Sequence, residues 1–150
     1  MKTFIEFGFM GKRNQCFNYI KEAKLAGYKT IVIDLKRPIS VDEEYYKLLI
    51  DETYINYWSD SLDIPLADKW VCYASLEHTQ KNVVNREVEG IANKVRGSGE
   101  ISIDMSEHSL YINRITYNEW FDIISKYFNF KSFHCDRYNE MIYFRECVPN

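Results

Sequence analysis

The sequence predicts a single mixed α/β domain. It should hold one mixed sheet of about six or seven strands with four helices, opening with a βαβ unit and closing with antiparallel hairpins. Three observations predict this. Two apolar runs, residues 3–9 and 30–35, flank a segment of helical period that stops at a glycine. The second run, Thr30-Ile31-Val32-Ile33-Asp34-Leu35, is continuously β-branched, as in a strand covered on both faces, so the two strands should pair in parallel across a helix. In the last third of the chain, short alternating runs separated by turn residues indicate antiparallel hairpins.

The elements follow in order. Residues 3–9 form an aromatic-rich strand. The helix of residues 14–26 places Cys16, Ile20 and Ala23 on one face, and Gly27 stands where a left-handed stop is needed. Residues 30–35 form the second strand. Pro38 then breaks the chain, and Ser40-Val41-Asp42-Glu43 is a capping box that satisfies two orphaned amides of a helix running to about Thr53. Residues 54–68, with Pro65 and five Asp or Ser residues, read as mostly loop. Trp70, Cys72, Ala74 and Leu76 alternate with Val71, Tyr73 and Ser75 as a third strand.

Val84, Val88, Ile91, Ala92 and Val95 recur at helical spacing, closed by Gly97-Ser98-Gly99. Ile101, Ile103 and Met105 form one arm of a hairpin that Leu110 and Ile112 answer. Thr116 and Glu119 make a second capping box, with Ile115 stapled to Trp120. That helix presents Trp120, Ile123, Ile124, Tyr127 and Phe128 to the core. A last hairpin joins residues 133–135 to 141–147 over Asp136-Arg137-Tyr138-Asn139. No repeat or linker interrupts residues 1–150, so one domain is expected.

Composition bounds the function. A chain of 150 residues with 46% hydrophobic and 27% charged content folds without a metal or disulfide. The start, Met1-Lys2-Thr3-Phe4-Ile5-Glu6, is not a secretory signal, and no run approaches the ~20 apolar residues of a membrane span. Cys16, Cys72, Cys135 and Cys147 form no C-x-x-C pair, and His78, His108 and His134 lie in different elements. Reduced thiols in a cytoplasmic protein, with no metal and no cofactor, are expected. His134 and Cys135 point to opposite faces of a strand, so they do not form a base and nucleophile. With no catalytic motif, the reading leans away from an enzyme.

One turn carries a ligand-binding alternative. Gly8-Phe9-Met10-Gly11-Lys12-Arg13-Asn14 joins the first strand to a helix N-terminus, where glycines and two cations can hold a phosphate. Asp34 ends the next strand about 20 residues on, the place of a ribose-binding acid. The pattern is incomplete, because only Gly8 and Gly11 of a G-x-G-x-x-G are present. The alternative is therefore a small nucleotide-binding domain or enzyme using Gly8, Gly11, Lys12, Arg13 and Asp34.

Charge carries the main functional expectation. Residues 1–33 have six basic and two acidic residues, net +4; residues 34–68 have three and nine, net −6; residues 69–150 have ten and eleven, net −1. The acidic third also holds Tyr45, Tyr46, Tyr54, Tyr57 and Trp58. Rigid aromatics anchor interfaces and carboxylates steer a basic partner. Nucleic acid itself is disfavoured, since the chain is acidic overall. In size, charge and surface style the chain resembles barstar-like inhibitors and bacterial immunity proteins. That resemblance implies a non-enzymatic immunity or inhibitor protein that neutralises a basic protein, such as a toxin nuclease. Asp42, Glu43, Glu44, Asp51, Glu52, Asp60 and Asp63 would supply charge, and Tyr46, Tyr57 and Trp58 the anchors. A homo-oligomer burying the surplus Tyr and Phe is compatible with either reading.

Overall fold

The computed structural model describes residues 1–8, 14–35, 48–107 and 113–150, with backbone alone for residues 14–18. Among them are eight strands and three α-helices. In chain order these are β1 (Thr3–Phe7), α1 (Asn14–Leu25), β2 (Lys29–Asp34), β3 (Glu52–Ile55), β4 (Ala67–Tyr73), α2 (Val84–Asn93) and β5 (Val95–Asp104). They continue with α3 (Tyr117–Tyr127), β6 (Phe128–Asn129), β7 (Ser132–Asp136) and β8 (Met141–Pro149). The strands form one sheet of order β3-β2-β1-β4-β5-β8-β6, with β7 also paired to β8. The first five in that order are parallel, and β8 runs antiparallel to β5, β6 and β7. The mixed α/β class is as the sequence predicts.

The opening βαβ unit forms as expected. β1 and β2 pair in parallel from Thr3↔Lys29 to Phe7↔Ile33, and α1 ends at Gly27, whose φ of +86° is the left-handed stop. Alternation along the strands divides the core between two faces. Ile5, Phe7, Ile31, Ile33, Trp70 and Ile101 pack with α2 and α3 on one side. Phe4, Val32, Val71 and Tyr73 pack with Ile20 and Ala23 of α1 on the other. Both capping groups of α3 are in place: Thr116 Oγ1 accepts from Glu119 N at 3.2 Å, and Glu119 Oε1 accepts from Thr116 N at 3.4 Å. The last hairpin also forms, with the Asp136 carboxylate accepting from the amides of Tyr138 and Asn139.

Elsewhere the structure corrects the sequence reading. The second helix does not reach Thr53, because Glu52–Ile55 form the edge strand β3 beside β2. The third strand is shifted, occupying Ala67–Tyr73, and Leu76 begins a short 3-10 turn. Gly97 and Gly99 do not end a helix; they lie within β5. A Cβ on Gly99 would stand 2.1 Å from the Trp70 indole and one on Gly97 1.8 Å from the Asp68 carbonyl oxygen, so strand contact requires glycine at both. β5 is not half of a local hairpin. Its edges are taken by β4 and β8, while Leu110 and Ile112 lie outside the described residues.

Candidate functional site

Between β1 and β4 the order of strands reverses. From β1 the chain passes through α1 to β2 on one side, while β4 pairs with the other side. In open α/β sheets such a switch point leaves a crevice at the strands' carboxyl ends, where ligands bind. Gly8 stands there directly after β1, at φ +78°. Its N–H donates to Ile33 O at 2.9 Å, and its carbonyl accepts from Ser75 Oγ at 3.0 Å. A Cβ on Gly8 would lie 2.3 Å from Ser75 Oγ, so no other residue fits against the β4 turn. The ends of β1, β2 and β4 are thereby tied together.

Trp58 seals the floor of this junction. Its indole Nε1 donates to Ile33 O at 3.0 Å, and its ring meets Phe7 edge-on at 6.2 Å. The segment around it is gripped by one face of α2. Glu87 Oε1 accepts from Ser59 Oγ at 2.6 Å and Oε2 from Ser59 N at 3.1 Å. Lys94 Nζ donates to the carbonyls of Trp58 and Asp60 at 2.5 and 2.6 Å. Burial lowers the Lys94 pKa from its ordinary range, and the charges of Asp60 and Glu87 act against that shift.

Asp34, last in β2, forms the rim. Its register partner is Ile55, its carboxylate accepts from Leu35 N at 2.7 Å, and its carbonyl accepts from Asn56 N at 3.0 Å. Leu35, Ile55 and Tyr57 expose 52%, 51% and 51% of their surfaces along the same rim. Asp34 and its register partner Ile55 thus stand at the same rim as Leu35 and Tyr57, so one acid and three large, half-exposed side chains lie within a short stretch of the β2–β3 end, a composition that suits a small-molecule ligand.

Among the described residues, several of the predicted partner-binding carboxylates are engaged within the chain. Asp51 pairs with Lys24 at 2.5 Å and accepts from Thr30 N and Oγ1, anchoring the start of β2. Burial raises its pKa, but the hydrogen bonds from Lys24 and Thr30 outweigh this and leave it below the ordinary value. Glu52 is held by Lys29 and the Tyr54 hydroxyl, which lower its pKa. Asp60 closes its own loop, taking Tyr57 N at 3.0 Å and Asn56 Nδ2 at 3.2 Å. Trp58 is 8% exposed and so is no surface anchor. Asp63 and Tyr57 are exposed. Asp42, Glu43, Glu44 and Tyr46 lie outside the described residues, as do Gly11, Lys12 and Arg13 of the alternative reading, whose Gly8 and Asp34 are at the switch point.

Several residues escaped the sequence reading. Glu6 is wholly buried in β1, two residues before Gly8. An acid inside an aromatic strand was the available signal. Ser75 lies beyond the end of β4 rather than within the strand, and its hydroxyl bridges to Gly8. Nothing local marked Glu87 or Lys94, because their partners lie 28 and 36 residues away. Among the described residues no group of His, Cys, Asp and Glu could hold a metal ion, and no helix is long and apolar enough to cross a membrane.

No protein-family model and no curated protein matches the chain. Solved structures do. The Burkholderia thailandensis 1,6-didemethyltoxoflavin-N1-methyltransferase, bound to 1,6-didemethyltoxoflavin and S-adenosylhomocysteine, superposes with a TM-score of 0.70 at 12% identity, over 99% of this chain and 71% of that one. The N-methyltransferase NodS of Bradyrhizobium japonicum WM9, bound to S-adenosylhomocysteine, gives 0.66 at 12% identity, over 97% and 78%. A pericyclic reaction enzyme gives 0.67 at 9% identity, and there this chain spans only 43% of the other's length. The expectation of an immunity or inhibitor protein with a basic toxin partner is therefore overturned: the likeness runs to methyltransferases and small-molecule ligands, and Asp51, Glu52 and Asp60 are engaged within the chain. What the chain shares with these proteins is their fold.

Proposed function

We propose that the chain binds an adenosyl ligand of the S-adenosylmethionine type at the carboxyl rim of β1, β2 and β4, and acts as a methyltransferase on a small molecule. One observation carries this reading: Asp34 stands beside Leu35, Ile55 and Tyr57 next to the β1–β4 switch point. The donor set fits such a ligand. A carboxylate accepts from the two hydroxyls of a ribose, and half-exposed apolar side chains cover the faces of a purine. The structural relatives crystallised with S-adenosylhomocysteine support the choice of ligand. When bound, S-adenosylmethionine would supply a methyl group on a sulfonium centre. In this chain, Asp34 would orient the ribose, Leu35, Ile55 and Tyr57 would exclude water from the base, and Gly8 would keep the ends of β1, β2 and β4 together beside them. Cys135 and Cys147 are thiols rather than half-cystines, which supports a reducing, cytoplasmic setting.

Calorimetric titration with S-adenosylhomocysteine tests the reading. The chain should bind it, and Asp34→Ala should weaken binding about 10- to 100-fold, as expected for the loss of one or two hydrogen bonds to a charged group. Absence of binding at millimolar ligand, or equal affinity in the variant, would overturn it.

A further inference from the structure

The rim has a support that touches no part of the proposed ligand. Glu87, Gly90 and Lys94 are spaced i, i+3 and i+7, so they lie on one face of α2 and its C-terminal end. All three meet the same short segment. Glu87 holds the Ser59 amide and hydroxyl. A Cβ on Gly90 would come within 2.4 Å of the Trp58 carbonyl oxygen, so the helix backbone and the loop backbone are in direct contact. Lys94 holds the carbonyls of Trp58 and Asp60.

Lys94 is itself fixed. It is the C-cap of α2, its N–H donating to Ile91 O, and its carbonyl accepts from Ala67 N where β4 begins. Only 7% of the residue is exposed. Taking an ammonium out of water is costly unless its hydrogen bonds are made, and here they go to two carbonyls two residues apart. That geometry fixes the loop rather than a neighbouring charge. From the loop, the constraint passes in two directions. The Trp58 indole bonds Ile33 O and lies 3.2 Å from where a Gly8 Cβ would be. Through Asp60, Tyr57 and Asn56 it reaches the Asp34 carbonyl.

We infer that Lys94 is a positioning residue for the proposed adenosyl site, acting through the backbone of Trp58 and Asp60 to hold both the floor beneath Gly8 and the Tyr57 rim in their binding arrangement. The inference rests on the reading of that site as an adenosyl site. Glu87 is the second grip on the same loop.

The test uses the full chain labelled with 15N-tryptophan, whose three indole signals come from Trp58, Trp70 and Trp120, with Trp58→Phe assigning the first. In Lys94→Met the dissociation constant for S-adenosylhomocysteine should rise tenfold or more. The Trp58 indole signal should move in the absence of ligand, while those of Trp70 and Trp120 stay in place. Unchanged affinity with an unmoved Trp58 signal overturns the inference, and so does movement of all three signals together, which marks a general structural role. Should Lys94→Met not fold, Glu87→Gln replaces it. This variant keeps the shape and loosens one grip, so about threefold weaker binding with a shift confined to Trp58 is expected; wild-type affinity and spectrum overturn the inference. If the unmodified chain does not bind S-adenosylhomocysteine, the proposed function fails. The Trp58 signal in Lys94→Met still decides whether Lys94 holds the loop.

Discussion

The two halves of the sheet do different work. In the parallel half, β3-β2-β1-β4, the described residues at the carboxyl ends include groups with chemistry: Gly8, Asp34, Tyr57 and Ser75. In the antiparallel half, β7 and β8 are joined by the tight turn at Asp136–Asn139, and α3 lays Phe121 against Phe133 of β7. Their surplus aromatics are spent on one another: Phe121 meets Phe130 and Phe133 edge-on at 5.5 and 5.4 Å, and Phe130 meets Phe144 at 5.0 Å. Such pairs stabilise by about 0.5–1.5 kcal/mol each beyond the area they bury. Aromatics pack in both halves, Phe7 meeting Trp58 and Trp70 edge-on in the parallel one, but the parallel half also presents Leu35, Ile55 and Tyr57 about half exposed at its rim.

This division predicts that stability and ligand affinity separate by position. The largest effect should come from Trp120→Ala in α3, where a fully buried indole packs on the antiparallel half. A loss of about 3–5 kcal/mol is expected in denaturant unfolding. Protein that remains folded should bind S-adenosylhomocysteine with unchanged affinity. A parallel loss of affinity would show that the two halves are coupled and break the comparison.

Asp51→Asn sharpens it within the parallel half, because Asp51 sits at the amino end of β2 and β3, opposite the rim. The change removes the Lys24 ion pair and weakens the bonds from Thr30. About 1–2 kcal/mol of stability should be lost at neutral pH, allowing for partial screening by solvent. The Asp51 pKa in the fold lies below its ordinary value of 3.8. Its contribution is therefore complete above that value and vanishes as pH falls through the folded value. Thermal unfolding should show a gap between wild type and variant at pH 7 that closes in strong acid. A gap that widens on acidification would contradict the assignment, and ligand affinity should not change.

The elements legible in the sequence were those whose determinants are local. The β-branched run at Thr30–Asp34, the Gly27 stop, the Thr116–Glu119 capping box and the Asp136–Asn139 turn each name their partner within a few residues. What escaped depends on distant contacts. Alternation marks Ile101 and Ile103 as strand residues but cannot say that β4 and β8 will flank them. Gly97 and Gly99 look like a stop until the Trp70 indole and the Asp68 carbonyl are seen to need the space. The candidate site was legible in part, through Gly8 and Asp34. The acidic third was misread because charge counting cannot tell a carboxylate facing water from one holding Thr30, Lys29 or Tyr57.

The smallest effect tests the division at its most local. Thr116→Ala deletes the hydroxyl that accepts from Glu119 N, while the carboxylate of Glu119 stays tied to Lys81 at 3.1 Å. An N-cap of this kind, exposed and backed by a second interaction, should cost about 0.5–1 kcal/mol. Hydrogen exchange should quicken only in the first turn of α3, since the amides released there are the ones the cap satisfied. The helix packs on α2 as well as on β6, so α2 is the route by which a frayed α3 would reach Lys94 and the Trp58 loop. If Thr116→Ala leaves S-adenosylhomocysteine affinity unchanged, α2 transmits nothing from α3 to the rim, and the grip of Lys94 is local to its own loop.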